Sequence, residues 1–326
     1  MKKVILLFLL FSLQPGCRQA RFVLFTLSFA QDDLLKELEA ETPPQNEKVT
    51  ATFKANRVVN AHSCETVKKK TLDFRITHRF SNIMEQTNGT GGPHQLYGFD
   101  NASDIRFSFD YGVTDKFQLG IGRSKQFENI DGTIKFKILE QTENSSTPLT
   151  LVWYSNAAFT PVRESQLYAD ADSAWIESNK KAVHRVAYTH QLIIARKFCS
   201  HFSFEILPTF NYRNLVHSYV NPLNNAVEDN LLYGVGIAGR IKVTQRFSIV
   251  GDYFYMVSAF RKGNALMPYY APLGLGVEFE TGGHVFTINF TNSSSIIENS
   301  FLPYTNESWS TGAFKTGFTI SRVFSF

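Results

Sequence analysis

The feature that most constrains this chain is a two-residue alternation of apolar and polar side chains, repeated in about twelve segments. Leu72, Phe74 and Ile76 alternate with Asp73, Arg75 and Thr77. Ile105, Phe107, Phe109 and Tyr111 alternate with Arg106, Ser108 and Asp110, and Phe117, Leu119 and Ile121 with Gln118, Gly120 and Gly122. Ile134, Phe136 and Ile138 are spaced by Lys135 and Lys137. The series runs on through Leu149, Leu151 and Trp153; Val186, Tyr188, Leu192 and Ile194; Phe202, Phe204, Ile206, Phe210 and Tyr212; and Leu231, Tyr233, Val235, Ile237 and Ile241. It ends with Phe247, Ile249, Tyr253, Tyr255 and Val257; Leu273, Leu275, Val277 and Phe279; Phe286, Ile288 and Phe290; and Phe314, Phe318, Ile320, Phe324 and Phe326. Side chains alternate across a strand, so each segment presents one face to an apolar medium and the other to a polar one.

The joints between segments differ in length. Short polar joints lie at Val113-Thr114-Asp115, Cys199-Ser200-His201, Thr244-Gln245-Arg246 and Gly282-Gly283, and long ones at 81–102, 161–182, 217–229 and 295–311. Short and long joints in turn are the pattern of periplasmic turns and external loops in a membrane barrel. The joint from Glu140 to Pro148 is longer than a tight turn and fits least well. The expected fold is all-β: a transmembrane antiparallel up-and-down β-barrel of about 12 strands over residues 68–326. Many segments reach the roughly 9–11 residues a tilted strand needs to cross a bilayer.

Composition is compatible with this. The chain is 43% hydrophobic and 19% charged, and carries no apolar run of helix-spanning length after its N-terminus. A barrel needs none, because only alternate residues face lipid. The 30 Phe and 13 Tyr favour strands and supply interfacial girdles. The net charge of +4 is scattered, Lys68 to Lys70 being the one tight basic run, so no nucleic-acid partner is indicated.

Residues 1–30 read as a secretory signal: Lys2 and Lys3, apolar runs at Val4 to Leu13 and Phe22 to Ala30, then an acidic turn at Asp32-Asp33. Cys17 after Pro15-Gly16 invites a lipoprotein reading, but Gln14 stands where that signal wants an aliphatic residue. Residues 31–67 are expected to form a polar periplasmic leader, containing an extra strand at Phe53 to Val59 or a plug. Removal of the signal leaves Cys64 and Cys199, paired or free.

A soluble sandwich also alternates. Against it stand the segment lengths, the aromatic content of the apolar faces and the terminal pattern Phe318, Ile320, Phe324, Phe326, which matches an assembly signal for the barrel-assembly machinery. Arg322 interrupts that pattern. In a barrel the charged faces point inward, since a charge facing lipid at mid-depth costs roughly 2–4 kcal/mol. The expected lumen-lining set is Asp73, Arg75, Asp104, Arg106, Asp110, Lys135, Lys137, Arg185, Glu205, Arg213, Arg240, Lys242, Asp252, Glu278, Glu280 and Arg322.

The stretches LDFRITHRF from Leu72, LYGFDNASDIRFSFDYG from Leu96, QLIIARKF from Gln191, TGGHVFTINFTNSSSIIENS from Thr281 and the final ISRVFSF resemble a β-barrel family of Bacteroidetes-type outer membranes. The resemblance covers the chain from about residue 50. It implies an outer-membrane barrel, and neither a reaction nor a substrate.

Local motifs add little chemistry. Gly234 to Gly239 matches G-x-G-x-x-G, but Arg240 to Val243 continues as strand where a dinucleotide site needs a helix. In a barrel, Gly234, Gly236 and Ala238 instead clear one face for a neighbouring long side chain or a lumen passage. Ser178-Asn179-Lys180-Lys181 matches S-x-x-K in a polar loop without its partner motifs. The eight histidines lack metal-ligand spacing. The expectation is therefore a non-enzymatic outer-membrane barrel, without cofactor or metal, in contact with membrane lipid. It would serve as a pore for small polar solutes or, alternatively, as a closed structural or partner-binding barrel. A lipid-modifying enzyme would require a serine and a histidine side by side on the outer wall.

Overall fold

The computed structural model describes residues 47–84, 91–169, 171, 173–216 and 219–326. The expected signal, Cys17 and leader residues 31–46 lie outside them. Twelve strands follow in order: β1 (Thr71–Asn82), β2 (Ala102–Gly112), β3 (Phe117–Ser124), β4 (Ile130–Leu139), β5 (Thr150–Phe159) and β6 (Val186–Lys197), then β7 (Phe202–Arg213), β8 (Leu231–Lys242), β9 (Phe247–Val257), β10 (Leu273–Thr281), β11 (His284–Thr291) and β12 (Lys315–Ser325). Each pairs antiparallel with its sequence neighbours, and β1 pairs with β12 from Thr71↔Ser325 to Asn82↔Lys315, closing the barrel. Closure leaves no unpaired sheet edge, which a spanning sheet in hydrocarbon cannot tolerate.

The alternation orients every strand. Along β2, Asp104, Arg106, Ser108 and Asp110 are buried, while Phe107 and Phe109 are 46% and 45% exposed. Arg75 and Glu205 are buried as well. A sandwich requires the reverse arrangement, so the barrel holds. Aromatic rings cluster on the outer surface near both ends, including Phe80 with Phe99 and Phe247 with Phe279.

The joints 113–116, 198–201, 243–246 and 282–283, together with the longer 140–149 joint, lie at one end with the C-terminal residues (the short-turn end). The opposite, long-loop end carries the extended connections and the short helices α1 (Gly91–His94), α2 (Glu164–Leu167), α3 (Ser173–Asn179) and α4 (Glu298–Tyr304). One connection there, between β3 and β4, is only a 3-10 turn at Gln126–Glu128, so the length alternation is not strict. Residues 49–67 add no strand to the wall: they form bends and an isolated Arg57↔His62 bridge, and most of their side chains are buried inside the barrel.

Candidate functional site: the occupied lumen

Two segments of the chain fill the barrel, one from each end. From the short-turn end, residues 52–67 fold up into the lumen and back. Val58 N donates to Ala61 O (2.8 Å) and Ser63 N to Asn56 O (3.1 Å), making a narrow hairpin with Val59 and Asn60 at its tip. From the long-loop end, residues 293–305, including α4, fold inward. Glu298 to Pro303 of that helix are all buried.

The wall grips the hairpin tip through one carboxylate. Asp252 on β9 accepts from the backbone N–H groups of Val59 (2.9 Å), Asn60 (2.6 Å) and Ala61 (2.9 Å), and from Asn60 Nδ2 (2.8 Å). A turn exposes successive N–H groups that no ladder satisfies, and a buried acid facing them removes three orphan donors at once. The approach requires a gap in the wall. A Cβ on Gly274 of β10 would meet Val59 Cβ and Asp252 Oδ1, each at 2.7 Å. Lower in the lumen, Lys135 donates to Ser63 O and Glu65 O (both 2.9 Å) and to Asn56, Glu205 accepts from Cys64 N (3.1 Å), and Gln118 accepts from Val67 N (2.9 Å).

The two inserted segments meet near the barrel axis. Arg57 of the hairpin pairs with Glu298 of α4 at 2.5 Å and donates to Ile296 O at 2.7 Å. Glu298 also accepts from the Tyr154 hydroxyl (3.1 Å). Asn299 Oδ1 accepts from Thr189 and Asn211, Asn129 Nδ2 donates to Ser300 (2.9 Å), and Asp104 accepts from Ile296 N (3.0 Å). Arg79 on β1 holds both inserts, donating to Ser293 O (3.1 Å), to Ser295 O and to Asn60 Oδ1 (3.1 Å).

The interior has two chemical sides. Toward β5–β9 it is apolar: Val152, Ile193, Leu207, Val250 and Phe254 face inward against Phe53, Val58 and Val59 of the hairpin and Phe301 and Leu302 of α4. Toward β1–β4 it is charged, with Arg75 bound to Asp73 (2.6 Å) and Arg106 bound to Asp131. A small cavity remains on this side, lined by Arg57, His62, Arg75, Thr77, Arg106, Ser108, Asp110 and Thr133, with room for about one water. At the long-loop mouth, Glu228 bridges Arg213 (2.9 Å) and Arg261 (2.7 Å), tying loop to loop. Arg261 lies over the Tyr269 ring, and burial pushes the Tyr269 hydroxyl up to about 12.

Of the expected lumen residues, Asp73, Arg75, Asp104, Arg106, Asp110, Lys135, Glu205, Arg213, Arg240, Asp252 and Glu278 are buried on the inner face. Arg240 and Glu278 bond each other (3.3 Å). Lys137, Lys242 and Glu280 share that parity but sit half-buried toward the short-turn end, where Glu280 pairs with Lys54 (2.5 Å). Two residues are not lumenal. Arg185 belongs to a 3-10 turn before β6 and donates to Thr160 O (3.1 Å) and Val162 O (2.5 Å), bracing a loop. Arg322 is exposed on the outer face, because it shares the parity of Phe318, Ile320 and Phe324. It lies over the Phe324 ring near the strand end, where an Arg facing outward costs little.

The expectations missed Arg79, Asn156, Thr189 and Asn211, although each has inward parity. They also missed the apolar inner side, whose signal was the breakdown of alternation at Leu151 to Tyr154, Leu192 to Ile194 and Ile206-Leu207. The glycine face of β8 has the use expected of it: the Phe254 ring lies over Gly236, and Met256 over Gly234. Cys64 and Cys199 are free thiols. On the outer wall, Ser155 Oγ and His190 Nδ1 lie 2.6 Å apart.

Residues 53–324 match the family described as membrane bound beta barrel domain (DUF5777). No curated protein matches the sequence. Among solved structures, the NanC porin is similar at 8% identity and a TM-score of 0.44, over 78% of this chain and 98% of that one. Omp33 of Acinetobacter baumannii aligns at 8% identity and a TM-score of 0.38, over 79% and 99%. LpxR from Salmonella typhimurium aligns at 11% identity and a TM-score of 0.34, over 78% and 100%.

Proposed function

The chain belongs to the membrane-bound β-barrel family DUF5777, and from that premise we propose that it sits in an outer membrane as a barrel closed at rest, structural or partner-binding, and not as an open pore. Its short turns then face the periplasm and its long loops the exterior. The observation that carries this reading is the hairpin of residues 52–67, bound by Asp252, Lys135, Glu205 and Arg79 and packed against α4. Permeation by a polar solute needs a continuous hydrated path. Here Asp252, Lys135, Glu205, Gln118 and Arg79 direct their inward groups to the inserted segments, and the apolar side toward β5–β9 is packed.

A planar-bilayer recording tests it. The purified full-length protein is expected to give no conductance steps at modest voltage, whereas deletion of residues 52–66 opens steady steps. Steady steps from the full-length protein would overturn the reading. The charged surface of β1–β4 and its water-sized cavity favour a second reading, a gated channel for small polar solutes whose gate is the hairpin. Under that reading the full-length protein shows rare voltage-dependent bursts, and these lengthen when Asp252 is replaced.

A further inference from the structure

The outer wall carries a polar pair set in an apolar face. Ser155 on β5 and His190 on β6 are directly opposed in the antiparallel register, and both side chains face away from the lumen. Their polar atoms lie 2.6 Å apart, a strong hydrogen bond between a hydroxyl and an imidazole nitrogen. The surroundings are oily: Ile134 is opposite Ser155 on β4, Phe210 is opposite His190 on β7, and Trp153 and Leu192 lie one outward position along.

Next to the pair, toward the long-loop end, the wall is thin. Gly132 and Ala157 are register partners on the outer face, and a Cβ built on Gly132 meets nothing within 4 Å. This shelf gives an acyl chain a shallow seat beside Ser155. Ser155 lies four residues below the end of β5 at Phe159, about 13 Å along a strand and roughly 10 Å in depth once strand tilt is allowed for. That depth falls within one leaflet. Tyr188 is diagonal to Ser155 across the ladder, within reach of an aromatic side chain, and carries an outward hydroxyl donor.

We propose that Ser155 and His190 form a nucleophile–base pair that hydrolyses a long-chain acyl ester of a membrane lipid at the outer wall. Ser155 Oγ bonds to the ester carbonyl carbon as its proton passes to His190 Nδ1, with the Tyr188 hydroxyl steadying the oxyanion. The ester C–O bond then breaks, and His190 returns the proton to the departing lipid alcohol. Water, deprotonated by His190, attacks the acyl-serine. Fatty acid leaves and the serine regains its proton. No oxidant, reductant or metal enters the balance.

The test uses the purified full-length protein in mixed micelles, a fluorophosphonate probe as serine label, and fatty-acid release from dioleoyl phosphatidylethanolamine and, separately, from lipid A. The expected result is one label on Ser155, absent in S155A and at least about 100-fold slower in H190F, with fatty acid released from one of the two lipids. The responding lipid identifies the source of the ester. H190Q repeats the comparison if H190F does not reach a heat-modifiable barrel. A folded protein without label, a label indifferent to His190, or labelling without release from either lipid overturns the proposal. The closed-lumen reading is independent of all these outcomes, because neither side chain touches the interior.

Discussion

Replacing Asp252 with alanine tests the latch on the hairpin. The carboxylate accepts three backbone N–H groups and one side-chain amide from residues 59–61, and none of those backbone donors has another partner within the tip. Leaving one buried donor unmet costs about 1–3 kcal/mol, so three cost roughly 3–9 kcal/mol if the site stays dry. The cavity left by the carboxylate admits water, which recovers part of the loss, so the low end of about 3 kcal/mol applies. That shifts the population of the displaced hairpin by roughly 150-fold. Cys64 reports it directly: the thiol is 1% exposed behind the tip and reacts with a water-soluble maleimide only when the hairpin leaves. In a Cys17→Ser, Cys199→Ser background, D252A is expected to raise the Cys64 labelling rate about a hundredfold with the barrel still heat-modifiable. A rate within threefold of the parent would refute the latch.

Other substitutions follow from the same contacts. Gly274→Ala drives a methyl into Val59 and is expected to raise Cys64 labelling in the same assay, with no change in heat modifiability. Arg57→Met leaves Glu298 buried without its cation and should cost about 3–5 kcal/mol in urea unfolding, while the double change with Glu298→Met recovers most of that loss. Gly112→Ala places a methyl 2.0 Å from the Lys68 carbonyl, a backbone atom that cannot swing away, so the folded fraction on a heat-modifiability gel should fall sharply; Gly132→Ala, with open space around it, should leave that fraction unchanged. Arg322→Leu is expected to change urea stability by about 1 kcal/mol or less, because the residue faces outward near a strand end, whereas Arg75→Leu strips the buried Asp73 of its cation, leaving it the Ser321 hydroxyl, and destabilises clearly.

The wall was legible in the sequence because lipid imposes a rule on every second residue, and β2 obeys it from Asp104 to Tyr111. Parity alone located Asp252, Glu205 and Lys135 on the inner face. It did not reveal that they bind residues 52–67, because contacts separated by up to 193 positions, such as Val59 with Asp252, leave no local pattern. Equating polar with inward also failed at both extremes. Val152 and Phe254 are apolar and face inward because a packed insert meets them, while Arg322 is charged and faces outward because its strand parity leaves it no choice. Ser155 and His190 were each visible as polar breaks in an apolar face, but their adjacency depends on the β5–β6 register.

The most direct test of the account is a spin-label scan of β2, one label at a time from Asp104 to Tyr111, with oxygen and a water-soluble nickel chelate as collision partners. Labels at 105, 107, 109 and 111 should collide with oxygen as lipid-facing sites do, and labels at 104, 106, 108 and 110 should be immobile and shielded from both. Nickel access at the even positions would mean an open aqueous lumen, and loss of the alternation would mean that the apolar face does not meet lipid.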